Sequence, residues 1–357
     1  MQTIPTTKSP HTYAEFTTQK GARIYRIPMQ AFPGFWVYAY LVFVDDLIVL
    51  IDTGSGFGDC NEQLEEGFDR VRAREGLASV MDSLDYILIT HGHIDHIGGL
   101  AYLTKNTDAK VGIHELDLRN LTNYEERIFV SMRRLREFLI EAGVGDEKRE
   151  EIMRVYEVNK ALFSSTPADF TFGAIGMQLE EKLEFLHVPG HSAGHVVIRL
   201  DDYLFCGDHV LNGISPHQWP ERLTMNMGLG HYLDSLDKLD AWAGENVTLT
   251  LTGHNEAIED IHDRIKQIKG IHAKRLERTL EILSGPHTIA EVSSQLFGEV
   301  EGYDILLSVE EAGAHVEYLY QRGLLGISNI EEIEQGSVPL LYERINDTVA
   351  AQVRICC

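Results

Sequence analysis

The chain has 357 residues, 44% of them hydrophobic, and a net charge of −24; that is enough apolar material for a sizeable core and enough length for two domains. The acidic excess repels nucleic acid unless a local basic patch offsets it, and four cysteines are too few for a disulfide scaffold. The longest apolar run, residues 38–50, is broken by Asp45 and Asp46 and falls short of the roughly 18–20 residues that span a bilayer.

At the N-terminus, MQTIPTTKSPHTYAEF lacks the apolar stretch of a secretory signal, so the expected home is the cytoplasm, with no membrane partner. Residues 22–51 read as strands, rich in β-branched and aromatic side chains, with Asp45-Asp46 as a hairpin turn. The following Gly54-Ser55-Gly56-Phe57-Gly58 lacks the full GxGxxG spacing and reads as a plain turn. Residues 60–76 suit a helix. YILIT at 86–90 is wholly apolar, as a strand covered on both faces requires. A helix is expected over 97–103 and a strand over 111–114. From 116 to 163 the chain turns charged and amphipathic, with Ile128, Met132, Leu135 and Leu139 at helical spacing. Gly143 and Gly145 divide this helical insertion into two helices, which either cover a site or decorate the surface. Strands return at 183–188, 195–200, 203–206 and 247–251, with a helix near 231–243 before the last. Strands alternating with covering helices indicate an α/β sandwich. Beyond it lie a helical connector at 258–284, two helices and a hairpin, the order of a winged helix-turn-helix. Cys356 and Cys357 are expected to fray.

His91-Gly92-His93-Ile94-Asp95-His96 places four metal-ligand types within six residues, directly after the YILIT strand. In an extended loop His91 and His93 project to one side, while Asp95 and His96 can address a second centre. The missing ligands follow other apolar strands: His191 after LEFLH, Asp208 after YLFC and His254 after VTLTL, each beside a glycine that permits close backbone approach. Among 16 histidines a lone one carries little information; four ligand-bearing loops at strand ends carry much more. His195 and His209 read as structural or ligand-orienting residues. Cys206 reads as a buried structural thiol, and His114, His187 and His231 as packing residues near the site.

This pattern closely resembles the metallo-β-lactamase superfamily, whose HxHxDH signature matches residues 91–96 and whose later His, Asp and His match His191, Asp208 and His254 in order. The resemblance covers about residues 20–260. It implies an αββα sandwich at 20–257, interrupted by the insertion at about 116–163 and followed at 258–357 by the connector and a small winged-helix-like domain. It assigns His91, His93 and His191 to one divalent metal ion and Asp95, His96 and His254 to a second, with Asp208 bridging. Asp52, in LIDTG, would orient ligands by hydrogen bonding. Zinc is the expected metal, and iron and manganese suit the same ligands. Two ions roughly 3.5–4 Å apart share a water and lower its pKa; the resulting hydroxide attacks an ester, thioester, amide or phosphodiester. Asp95 and Asp208 are the expected catalytic carboxylates.

Departures from known branches narrow the substrate. The commonest true β-lactamases place a Cys at the second metal, and flavodiiron proteins replace the second motif His with Glu. Nucleases with a large inserted domain need more chain than 208–254 provides. Glyoxalase II enzymes carry a Cys-Gly-His-Glu-Tyr-like segment where this chain has Thr252-Gly253-His254-Asn255-Glu256. Members with a winged-helix tail include thioesterases and an RNA-cleaving enzyme. The expected function is hydrolysis of a thioester or ester on a small-molecule or carrier-bound acyl substrate. A nuclease or phosphodiesterase is the alternative, and a nucleic-acid-binding regulator a third. Residues 255–357 hold 9 Lys+Arg against 18 Asp+Glu, and the second tail helix carries Glu310, Glu311 and Glu317 with only Arg322. That composition opposes phosphate contact, so the tail is read as a structural, substrate-shaping or homodimerising element.

Overall fold

The structure, a computed structural model, describes residues 11–334 and 336–345, the side chains of 155–162 excepted. Residues 1–10 of the N-terminal segment, and Cys356 and Cys357, lie outside the described residues.

Two sheets form the centre. The first runs β1 (Ala14–Thr17), β2 (Arg23–Phe32), β3 (Phe35–Val44), β4 (Leu47–Ile51), β5 (Tyr86–Leu88), β6 (Lys110–Ile113), β7 (Phe170–Thr171) in spatial order. It is antiparallel up to β4 and parallel beyond. The second sheet consists of β8 (Gln178–Leu179), β9 (Leu183–His187), β10 (Val196–Leu200), β11 (Tyr203–Phe205) and β12 (Leu249–Leu251), antiparallel except for the pair β11 and β12. The composition of β3 explains the layering. Its alternate residues Val37, Ala39, Leu41 and Phe43 enter one core, while Tyr38, Tyr40, Val42 and Val44 enter another. Side chains two apart share a face, so a strand apolar at every position must be covered on both.

The outer core of the first sheet lies beneath α1 (Cys60–Glu75) and α3 (Leu100–Leu103). The middle core joins the sheets, where Ile24 and Val49 meet Phe185, Ile198 and Phe205. A third core covers the outer face of the second sheet with α5 (Tyr124–Glu141), α6 (Asp146–Leu162), α7 (Leu229–Ala243), α8 (Ile261–Ile282), α9 (Ile289–Phe297) and α10 (Tyr303–Gln321). The layers are therefore helix, sheet, sheet, helix, as expected of the sandwich. Among the described residues no helix is long and apolar enough to cross a membrane.

One helix differs from expectation. Instead of a single helix over 97–103, α2 (Ile94–Ile97) precedes α3. The break falls at Gly98 and Gly99, where an added Cβ would lie 2.0 Å from the Ser55 carbonyl oxygen and 2.2 Å from that of Thr53. Asp95 and His96 consequently sit on a short helix of their own. The two-residue strands β7 and β8 also had no signal, being too short for a period-two pattern.

The insertion consists of α4 (Leu118–Thr122), α5 and α6, with Gly143 turning between the long helices at φ +80°. The tail places α8, α9 and α10 before an antiparallel pair, β13 (Leu325–Ile327) and β14 (Tyr342–Arg344). Insertion and tail meet. Leu135, Phe138 and Leu139 share a continuous core with Leu306, Val309 and Ala312 and with Val197 and Leu204 of the second sheet. Ala290 N donates to Ala142 O and Leu340 N to Glu141 O, both at 2.8 Å. An added Cβ on Gly313 of α10 would come within 2.8 Å of the Phe138 ring, so this glycine lets the two helices approach.

Phe138, 1% exposed at that junction, should therefore be a large contributor. Phe138→Ala is expected to cost about 3–5 kcal/mol, the range for emptying a buried aromatic site, measured as a lowered urea midpoint with a single cooperative transition. A change within about 0.5 kcal/mol would show that insertion and tail do not share this core.

Candidate metal centre

Strand ends converge at one edge of the sandwich. Asp52 follows β4, the segment 91–96 follows β5, His191 follows β9, Asp208 follows β11 and His254 follows β12. This is where loops beyond the carboxyl ends of parallel strands gather ligands in open α/β sheets. Two glycines make the convergence sterically possible. A Cβ on Gly253 would sit 2.3 Å from Asp208 Oδ1 and 2.7 Å from His96 Cε1. Gly207, at φ +47°, leaves no room for a side chain against Thr90 Oγ1, 2.6 Å away.

All seven expected ligands are brought together, in two groups whose ligand atoms lie within 4.8 Å of one another: His91, His93 and His191, and Asp95, His96, Asp208 and His254. In the first, His91 Nε2 is 3.0 Å from His93 Nδ1. In the second, His254 Nε2 is 3.2 Å from Asp95 Oδ2 and 3.0 Å from Asp208 Oδ2. His96 Nε2 is 3.4 Å from Asp208 Oδ1. Asp208 also reaches the first group, its Oδ2 lying 3.8 Å from His191 Nε2.

The inward and outward faces of the imidazoles are treated differently. Outward, His96 Nδ1 meets Asp52 Oδ2 at 2.8 Å, His254 Nδ1 the Trp36 carbonyl at 2.5 Å and His191 Nδ1 the His217 carbonyl at 3.0 Å. Inward, the buried Nε2 atoms of these three and Asp208 Oδ1 have no hydrogen-bond partner. A buried polar atom left unmatched costs about 1–3 kcal/mol, and several aimed at one volume form a set that a cation satisfies. Outward partners that fix tautomer and ring orientation are usual for metal-binding histidines. The residues thus fit two divalent ions, and imidazole with carboxylate suits zinc, iron or manganese.

The metallo-beta-lactamase superfamily model matches residues 34–254. The chain belongs to the metallo-beta-lactamase superfamily. A metallo-beta-lactamase fold-containing protein of Sulfurisphaera tokodaii is 30% identical over 165 residues, 45% of this chain and 57% of that protein. A hydroxyacylglutathione hydrolase of Shewanella loihica is 24% identical over 197 residues, 52% of this chain and 60% of that protein. The chain thus spans less than two thirds of the length of these relatives. A metallo-beta-lactamase family protein of Thermus thermophilus superposes with a TM-score of 0.70 at 26% identity, covering 90% of this chain and 98% of that one. Coverage that wide takes in C-terminal helices as well as the metallo-beta-lactamase sandwich.

Asp52 is buried beside the second group. Oδ1 accepts from Thr90 N at 2.8 Å, and Oδ2 from Thr90 Oγ1 at 2.7 Å and from His96 Nδ1. It therefore ties β4, the end of β5 and α2 together. The sequence reading missed Asp117. Buried in the first turn of the insertion, it accepts from Gly92 N at 2.8 Å, Ser192 Oγ at 2.7 Å and Gly194 N at 3.0 Å, joining the His91–His93 loop to the His191 loop. Its only signal was its place just after β6, one more strand end at the same edge. His195 stacks on His91 at 4.6 Å and receives Asp208 N at 3.2 Å. His114 and His187 stack on each other at 4.0 Å, and His231 pairs with Glu221 at 3.0 Å; none of these joins either ligand group. Cys206 is buried, and burial pushes its thiol well above the ordinary range.

The two groups differ in protonation. Burial lowers His91, His93 (to about 4) and His191, leaving them neutral at pH 7. Burial also opposes charge on His96 and His254, but Asp208, with Asp52 and Asp95 at His96 and Asp95 at His254, outweighs it. His96 is raised well above its ordinary value and His254 to about 10. A metal entering the first group meets neutral nitrogens, whereas one entering the second must displace protons. Affinity at the second group should therefore rise as pH rises towards 9, with that at the first nearly flat. Calorimetric titration of metal-free protein in two buffers of unlike ionisation enthalpy should show almost no proton release for the first equivalent and about two protons for the second. Equal release at both steps would contradict the asymmetry.

Proposed function

We propose that this chain is a binuclear metal-dependent hydrolase acting on a thioester or ester, with an acyl chain as the group recognised. The observation that carries the reading is the position of Asp208, whose carboxylate faces His191 of one ligand group and His96 and His254 of the other. Two divalent ions, when bound, supply Lewis acidity and lower the pKa of the attacking water. The protein's own part is orientation and proton handling. Asp52, Trp36 O and His217 O hold the ligand rings, and Asp95, beside His254, is placed to take a proton. No serine or cysteine nucleophile is needed, and Cys206 is too deeply buried to be one.

The surroundings favour an acyl substrate. Phe35, 46% exposed, lies 4.6 Å from the His254 ring, and Trp219 lies 6.2 Å from His93. Tyr303, at the start of α10, is 46% exposed as a residue, yet its hydroxyl is withdrawn from water, and that desolvation first, then Glu310 and Asp95, raise its pKa. An aromatic rim beside a polar centre suits an apolar chain attached to a scissile carbonyl. The relative named a hydroxyacylglutathione hydrolase supports thioester chemistry. The segment around His254 departs from the glutathione-using branch, so another thiol carrier is expected. In the tail α9 and α10 precede the paired strands β13 and β14, between which a short helix, Ile330–Ile333, intervenes, and the face of α10 from Ile305 to Leu319 is largely buried. That burial and the acidic charge support a role without nucleic acid. Zinc is the proposed metal and the cytoplasm the proposed compartment.

Metal-loaded protein should be screened against an acyl-CoA, an aryl ester, a lactone and bis-p-nitrophenyl phosphate. The expected result is a kcat/KM for the thioester or ester above that for the phosphodiester by on the order of 10²-fold, about 2.7 kcal/mol. Asp208→Ala should lower it by on the order of 10³, consistent with losing several kcal/mol of Lewis-acid stabilisation, and reduce metal content below two per chain. A preference for the phosphodiester would refute the acyl assignment and leave the metal centre standing.

A further inference from the structure

The outward partners of the ligand rings have unequal origins. His96 leans on Asp52 and His254 on the Trp36 carbonyl, both anchored in the first sheet. His191 leans on the carbonyl of His217, which lies in the loop between β11 and α7, outside both sheets. What fixes that loop comes from the C-terminal helices. Glu311 of α10 accepts from Gln218 N at 2.8 Å, the peptide nitrogen that follows the His217 carbonyl. Its other oxygen receives Arg275 Nη1 of α8 at 2.7 Å, and the same Nη1 reaches Ser215 Oγ of the loop at 3.0 Å. Glu310 Oε2 is 3.2 Å from His217 Nε2. Two turns further along α10, Glu317 accepts from the backbone N–H groups of Glu221 and Arg222.

Glu310 is 0% and Glu311 6% exposed. Burying a carboxylate costs free energy that apolar packing does not, and its pairing often only breaks even. An apolar side chain would pack α10 against the loop at least as well. What a carboxylate adds is direction: it accepts from one particular N–H and so fixes the orientation of the 217–218 peptide plane. We propose that α10 is a positioning element of the metal centre, in which Glu311, braced by Arg275, sets the His217–Gln218 peptide so that its carbonyl holds His191 in ligating orientation. The inference rests on the reading of His191 as a metal ligand.

The test compares zinc binding by wild type, Glu311→Ala, Glu311→Gln, Arg275→Ala, His191→Ala, His315→Ala and Val292→Ala, by elemental analysis after dialysis and by competition with a chromophoric chelator. Val292 is buried in α9 and takes no part in the Glu311–Gln218 strap. Wild type should hold about two zinc ions. His315→Ala alters the third buried group of His272, Glu311 and His315 but not the Glu311–Gln218 bond, and should bind both ions as wild type does. Loss of one there would make Glu311 a ligand and overturn the proposal. Glu311→Ala should bind one of them about 10–100-fold more weakly, the usual loss when a ligand's supporting partner is removed, and retain about one after dialysis. Glu311→Gln keeps an acceptor for Gln218 N–H and should recover most of that loss. Arg275→Ala should fall in the same direction by a smaller factor. Should Glu311→Ala fail to fold, Arg275→Ala decides, because that side chain is 29% exposed. Val292→Ala should lower Tm without changing zinc affinity. If Glu311→Ala and Arg275→Ala bind both ions as wild type does while His191→Ala loses one, the positioning role is wrong and the metal reading survives. A loss in Val292→Ala equal to that in Glu311→Ala would assign the effect to global stability and overturn the proposal. Wild-type binding by His191→Ala would overturn the metal reading and the inference with it.

Discussion

Everything at the edge of this sandwich answers to one electrostatic demand: carboxylates and imidazoles packed too deeply for water and too closely for one another. Asp208 faces the inward nitrogens of histidines whose outward atoms are already committed. Withdrawn from solvent, such groups either shift their protonation or take a cation. In the second group Asp95 and Asp208 favour the charged forms of His254 and His96.

Holding that cluster requires side chains that ligate nothing. Asp52 fastens one sheet to α2, and Asp117 fastens two ligand loops to each other through three donors. Both are buried acids whose oxygens meet backbone N–H groups or hydroxyls, which removes the usual objection to burying them. The insertion is therefore tied to the site at its first turn, while its long helices belong to the core that carries the tail.

The sequence revealed the sandwich where the physics is local. The unbroken apolar run of β3 demanded two covered faces, and ligand types beside glycine after apolar strands marked the converging edge. It was silent where the cause is a distant contact. Asp117 is a lone acid in a charged stretch, and nothing in a one-dimensional pattern says that three donors from two other loops surround it. Gly98 and Gly99 look like ordinary helix weakeners, yet they mark where the Ser55 and Thr53 carbonyls press against the chain. Glu310, Glu311 and Glu317 read as an acidic surface unsuited to phosphate. Two of them are buried and all three are turned towards a loop.

The shared core of sheet, insertion and tail also sets an order of events in time. By the time residue 254 has left the ribosome every candidate ligand has been made, but Leu306, Val309 and Leu319, which close the third core, have not. At about 5–20 residues per second the third core waits several seconds for α10. During that interval the loop that carries the His217 carbonyl lacks its Glu311 brace. The nascent chain is then most exposed to wrong contacts, with every ligand of the two groups made and the loop behind His191 still unbraced.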